Sequence, residues 1–207
     1  GDSSLTGFAL MEMERQASFF MTGGLVAAHS EGRTRDAIWD ALGRREVYAT
    51  TGPRITVRFF GGWDMPREAA TAPDVATVGY AHGVPMGGEL NGAARKGAPR
   101  FLVTASRDAS GANLDRVQIV KGWIDAQGKT LERVHDVAWS DAASRRPGAD
   151  GKLPPVGSTV DVKAAAWSNT IGAPELATVW EDPAFDATQP AFYYVRVLQI
   201  PTPRWTA

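Results

Sequence analysis

Three histidines, His29, His82 and His135, are the first side chains in this sequence to weigh for chemistry. None is spaced two or four residues from another, so neither an HxH nor an HExxH metal-ligand pattern is present. His29 closes the apolar run LVAAHS and is followed closely by Glu31. The ends of strands are where α/β barrels collect functional groups, which makes His29 a candidate metal ligand. One His and one Glu without a third ligand fit a hydrogen-bonded structural histidine better. His82 falls in YAHGVPMGGEL, read as a turn-rich connection, which lacks the Lys-Ser/Thr pair of a phosphate loop. His135 and Asp136 are adjacent in a strand-like run, so their side chains should point to opposite faces.

Other chemistries are thinly provided for. The absence of cysteine removes disulfides, thiolate metal sites and cysteine nucleophiles. There is no G-x-S-x-G elbow to expose a serine, and no carboxylate spacing that singles out an acid/base pair. Seven tryptophans stand out more. Trp63 and Trp123, each beside a glycine, are predicted to be partly exposed and are the candidates for ligand stacking. Core filling is the commoner use of such rings. Arg33, Arg35, Arg44 and Arg45 form the densest basic cluster, which on a helix makes a solvated face.

Two kinds of local grammar must position these residues. Residues 5–22 carry a loose helical period, and LVAAHS reads as a buried strand. Thr34 is a good N-cap, Asp36 suits a first helical turn, and Arg44-Arg45 suit a helix C-terminus. Ile38, Ala41 and Leu42 then give one apolar helix face. This strand-then-helix unit is the grammar of an α/β domain, with EVYAT a strand after it and Gly52-Pro53 turning the chain. Beyond Pro53, short alternating runs recur at Ile55–Phe60, Val75–Tyr80, Phe101–Ser106, Val117–Lys121, Leu131–Val137, Val160–Ala164 and Phe192–Leu198. Their spacing predicts an antiparallel β-sandwich or barrel. AFYYVRVLQ is apolar on both faces apart from Arg196, which predicts a central strand. Residues 140–158 read as a long polar loop.

A hydrophobic content of 43% and a net charge of −1 are those of a globular chain without a global field for nucleic acid. No run approaches the roughly 20 apolar residues of a membrane span.

Five segments in order, GGLVAAHSEGRTRDAIWDALGRREVYATTGPRITVRFFGGWD, GYAHGVPMGGEL, APRFLVTASRD, LDRVQIVKGWIDAQGKTLERVHDVA and TVWEDPAFDATQPAFYYVRVLQIPTPRW, resemble a large bacterial family catalogued as a domain of unknown function. That family looks related to the PHP (polymerase and histidinol phosphatase) metal-dependent phosphoesterases. The resemblance implies that residues 1–50 correspond to the last strand and helix of a PHP-like barrel and residues 51–207 to an appended β-sandwich. It further implies a divalent metal in a longer parent protein, held by an upstream HxH and D-x-H that are absent here, and no cofactor in this portion. Where the family reads W-A-E-E-N-[ST]-R, this chain reads HSEGRTR: Glu31, Thr34 and Arg35 match. Glu31 and Arg35 are therefore the catalytic-rim candidates, and near the C-terminus Pro203 stands where the family commonly has a cysteine.

The resulting expectation is the β-sandwich portion of a PHP-related metal-dependent hydrolase, inactive alone, partnered by the missing barrel, with a homo-oligomer possible and, by resemblance, exported. The alternative is a non-catalytic glycan-binding or subunit-interaction module. Two features separate them: a concave row of exposed tryptophans favours glycans, whereas an exposed Ile38/Ala41/Leu42 face favours a lost barrel.

Overall fold

The computed structural model describes residues 23–92 and 97–203; the helical reading of 5–22, and Trp205, lie outside them. The chain opens with β1 (Leu25–Ala28), α1 (Arg35–Gly43) and β2 (Val47–Thr50), with β2 antiparallel to β1. Thr34 caps α1 as its sequence suggests, its hydroxyl accepting from the Ala37 amide at 3.2 Å. The rest is a β-sandwich. One sheet has the order β4-β3-β5-β8, built from β3 (Thr56–Gly62), β4 (Val84–Pro85), β5 (Arg100–Ser106) and β8 (Glu175–Glu181). The other, β7-β6-β9, is built from β6 (Leu114–Ile124), β7 (Thr130–Trp139) and β9 (Ala191–Gln199). Every strand pair is antiparallel.

The main core lies between the sheets, because residues two apart on a strand share a face. Val57 and Phe59 of β3 and Phe101 and Val103 of β5 face Leu114, Val117 and Ile119 of β6. The other face of β3 and β5 is covered too. Phe60 and Leu102 pack under Met65 and Ala69, which belong to a segment with a short 3-10 turn at Arg67–Thr71, and under α2 (Val75–His82). A sheet buried on both faces explains why Phe59 and Phe60 are consecutive and both apolar.

Several sequence expectations change here. Val75–Tyr80 is helix rather than strand. The Asp74 carboxylate accepts from the Thr77 amide at 3.1 Å and its hydroxyl at 2.6 Å, capping a first turn that alternation alone could not reveal. His82 consequently ends α2 instead of lying in a loop. Val160–Ala164 forms a turn, because the Asp161 carboxylate takes the amides of Lys163 and Ala164 at 2.9 and 3.1 Å. The strands β8 and β4 had no counterpart in the reading. β1 is not buried: Leu25 is 42% and Val26 72% exposed. Nor is β9 central; among the described residues it pairs with β6 alone. Its outer apolar residues cover the sheet locally, with Phe192 lying over Gly122 so closely that an added Cβ would come within 2.4 Å of the ring. Among the described residues, no helix is long and apolar enough to cross a membrane.

Candidate functional site

Two neighbouring features of this fold could do something beyond folding: the seam where β1–α1–β2 meets the sandwich, and a cleft beside it. The seam exists because β4 covers only Phe60 and Gly61 of β3. Upstream, two side chains satisfy the open carbonyls. His29 Nε2 lies 2.7 Å from the Val57 carbonyl, and the Tyr48 hydroxyl donates to the Ile55 carbonyl at 2.9 Å. A carbonyl can only accept, so His29 carries its proton on Nε2 there and is committed to the strand edge. Next to it Glu46 is 3% exposed. It accepts from the Tyr80 hydroxyl at 2.5 Å and from Arg44 Nε at 2.9 Å. Burial, then the bond to Glu46, raises the Tyr80 pKa, so its phenol stays a donor.

Of the rim candidates, Glu31 and Arg35 are both exposed. Glu31 reaches the seam only through its field, which adds to the stronger effect of Glu46 in keeping Arg44 charged. Arg35 opens α1 and touches none of the seam groups named above. The structure thus joins His29, Tyr48, Arg44, Glu46 and Tyr80 into a connected lock, with Glu31 at its margin. Sequence reading singled out none of Glu46, Tyr48 and Tyr80; Glu46 and Tyr80 are 34 residues apart and only tertiary contact relates them.

The cleft has a volume of about 1040 Å³ and opens between the β3–β4 side of one sheet and β9 of the other. Its floor is aromatic: Phe101 stacks on Phe59 at 5.6 Å and meets Tyr193 at 4.3 Å. Trp63 forms one wall, edge-on to Phe185 at 5.6 Å. Its indole nitrogen is buried without a partner among the described residues. Trp123 is partly exposed as well, with the Lys121 ammonium 5.3 Å from its ring. The most exposed described tryptophans are others, Trp39 at 73% and Trp167 at 39%, on separate elements.

Behind the cleft floor sits a buried ionic network. Lys121 Nζ donates to Asp182 at 2.6 Å and to the Ala184 carbonyl at 2.7 Å, and the Tyr193 hydroxyl donates to the same Asp182 oxygen at 2.7 Å. Burial pushes the Asp182 pKa upward, but the hydrogen bonds from Lys121, Tyr193 and the Ala184 amide outweigh it and leave it lowered. Burial, then Asp182, raises Tyr193 far above the ordinary phenol value. Asp182 is therefore a committed carboxylate and Tyr193 a committed phenol, with neither poised to exchange protons with a ligand. Lys121 left a legible trace in the sequence, since it shares strand parity with the inward Val117 and Ile119. As an arrangement, the cleft can bind apolar surface.

His135 points into this region, as the opposite-face argument requires; its ring lies 4.8 Å from Trp180, while Asp136 bonds Arg116 and Gln118. Burial lowers the His135 pKa below 6.5, against the opposing field of Asp182. The unfolded chain then takes up this proton first as pH falls, so the associated stability is complete above the unfolded value and is lost as pH falls through the folded one. Urea denaturation midpoints are expected to drop as the pH falls below about 6.5, the ordinary imidazole value. His135→Phe should remove most of that drop; an undiminished drop in the variant would assign it elsewhere.

Among the described residues, no three His, Asp or Glu side chains converge to hold a metal ion. A family model described as "Protein of unknown function (DUF3604)" matches residues 4–207. No curated protein and no solved structure matches the chain.

Proposed function

The chain belongs to the DUF3604 family, and from that premise we propose that it is the β-sandwich portion of a PHP-related, metal-dependent hydrolase acting on phosphate esters or similar anionic substrates. In this reading the metal and the water it activates belong to a barrel, and the present residues anchor and orient that barrel. One observation carries the proposal. Ile38 is 42%, Trp39 73% and Leu42 45% exposed on α1, while Ala41 is fully buried. A single-domain surface does not usually leave a helix's apolar stripe uncovered, and such a stripe is what a docked barrel would occupy. The seam lock built on Glu46 ties the end of α1 to the sandwich, Arg44 following the helix and Tyr80 lying on α2.

The placement of the tryptophans favours docking over the glycan reading. Trp63 is engaged with Phe185 and Trp123 lies beside Lys121, so the two do not form an exposed stacking row with Trp39 or Trp167. The test is elemental analysis plus a chromogenic phosphate diester with manganese or zinc. This chain is expected to hold no stoichiometric metal and to show no turnover, whereas a polypeptide extending it upstream should turn over. Turnover by this chain alone, or an inactive longer polypeptide, would overturn the reading.

A further inference from the structure

Among the described residues the edge of β9 is long and unpaired, and Arg196 is its one charged side chain. Only β6 pairs with this strand among the described residues. Its nine residues, AFYYVRVLQ, contain no Pro, Gly or Lys. Sheet edges are ordinarily blunted by such residues, by bulges or by shortness, because a bare edge templates pairing with another chain. The outer side chains of β9 add an apolar surface beside that edge. Phe192 is 61% and Tyr194 42% exposed, their rings stacked at 6.3 Å and 15°. Val134 on β7, 43% exposed, extends the patch, since Tyr194 and Val134 flank Val120 on the same register line.

We propose that two copies of this chain associate by antiparallel pairing of their β9 edges about a two-fold axis at Val195, joining two three-stranded sheets into one of six strands. The strand's own sequence selects this occupant. About Val195, each Tyr194 lies opposite Arg196 of the partner subunit, and each Phe192 lies opposite Leu198 of the partner subunit. A guanidinium against an aromatic ring is attractive, it occurs twice by symmetry, and no like charges meet. Centring the axis on Arg196 instead would set two guanidiniums against each other. The inward residues of β9, Tyr193, Val195 and Val197, line the cleft, so an added strand also lengthens its wall. This surface is separate from the α1 face, and a barrel could dock while the dimer persists.

Sedimentation equilibrium on the full chain tests it. The wild type should show a concentration-dependent monomer–dimer equilibrium. Tyr194→Lys places a lysine opposite each Arg196 and should weaken association by about tenfold or more. Combining Tyr194→Lys with Arg196→Glu makes the facing pair opposite in charge and should restore the dimer. Both positions are exposed, so unchanged melting temperatures check that each variant folds. Trp39→Lys, on α1, should leave association unchanged. A wild type that stays monomeric, a double variant that is not rescued, or a dimer lost through Trp39→Lys would each overturn the proposal.

Discussion

Asp182→Ala is expected to destabilise the fold by about 3–5 kcal/mol, because it strands the buried Lys121 ammonium. Asp182 is 2% and Lys121 4% exposed, so water cannot replace the lost carboxylate without opening the sandwich. The Ala184 carbonyl remains to Lys121, but the Tyr193 hydroxyl loses its acceptor as well. The pair itself contributes far less than its breakage costs, since removing two charges from water offsets most of their attraction. Replacing both at once, Lys121→Met with Asp182→Leu, should therefore recover most of the loss. Urea denaturation of the single and double variants measures this. A single-variant loss under about 1 kcal/mol would mean that water reaches the network and that it does not tie β6 to β8 and β9.

Phe60→Ala should cost about 3–5 kcal/mol, the range for truncating a buried aromatic ring. Phe60 is 2% exposed, sits beside Leu102 and under Met65, and meets the ring of Tyr80 at 5.0 Å. This ring is also what Gly79 accommodates: a Cβ there would lie 2.5 Å from Phe60 Cδ2. Gly79→Ala should thus destabilise the wild type by overpacking. In the Phe60→Ala background the same change should instead stabilise by about 0.5–1 kcal/mol, the ordinary preference for alanine over glycine in a helix. A reversal of sign between the two backgrounds, read by thermal or urea denaturation, establishes that α2 is seated on Phe60. Additive effects would place the helix elsewhere.

These two sites show how differently the layers of this protein could be read. Phe60 stood in an alternating run and was recognisable as a strand residue, yet nothing local announced that its outward face would also be covered. The cover comes from α2, whose sequence VATVGYAH alternates well enough to pass for a strand. Its hydrophobic period is ambiguous over so few residues, and Asp74 capping Thr77 settles it. Lys121 and Asp182 lie 61 residues apart and meet only because β6 and β8 belong to facing sheets. His29 was a reasonable metal candidate by position. Its neighbour turned out to be a strand carbonyl, a partner that appears only once β1–α1–β2 is laid along β3.

The sequence by itself determined what depends on near neighbours. The β-rich sandwich class followed from period-two alternation broken by Gly, Pro and Asp, and α1 followed from Thr34, Asp36 and one apolar stripe. Seven of the strands, the long loop after Trp139, and the opposite orientations of His135 and Asp136 belong to the same local physics. The tertiary structure decided what depends on pairing across distance. Strand order, the position of β9 at an edge, the burial of Glu46 and Asp182, and the exposure of β1 and α1 were not legible. Alternation records that a residue faces something apolar without recording what. An edge strand and a central strand carry the same alternation, and only the assembled sheet distinguishes a paired edge from a bare one.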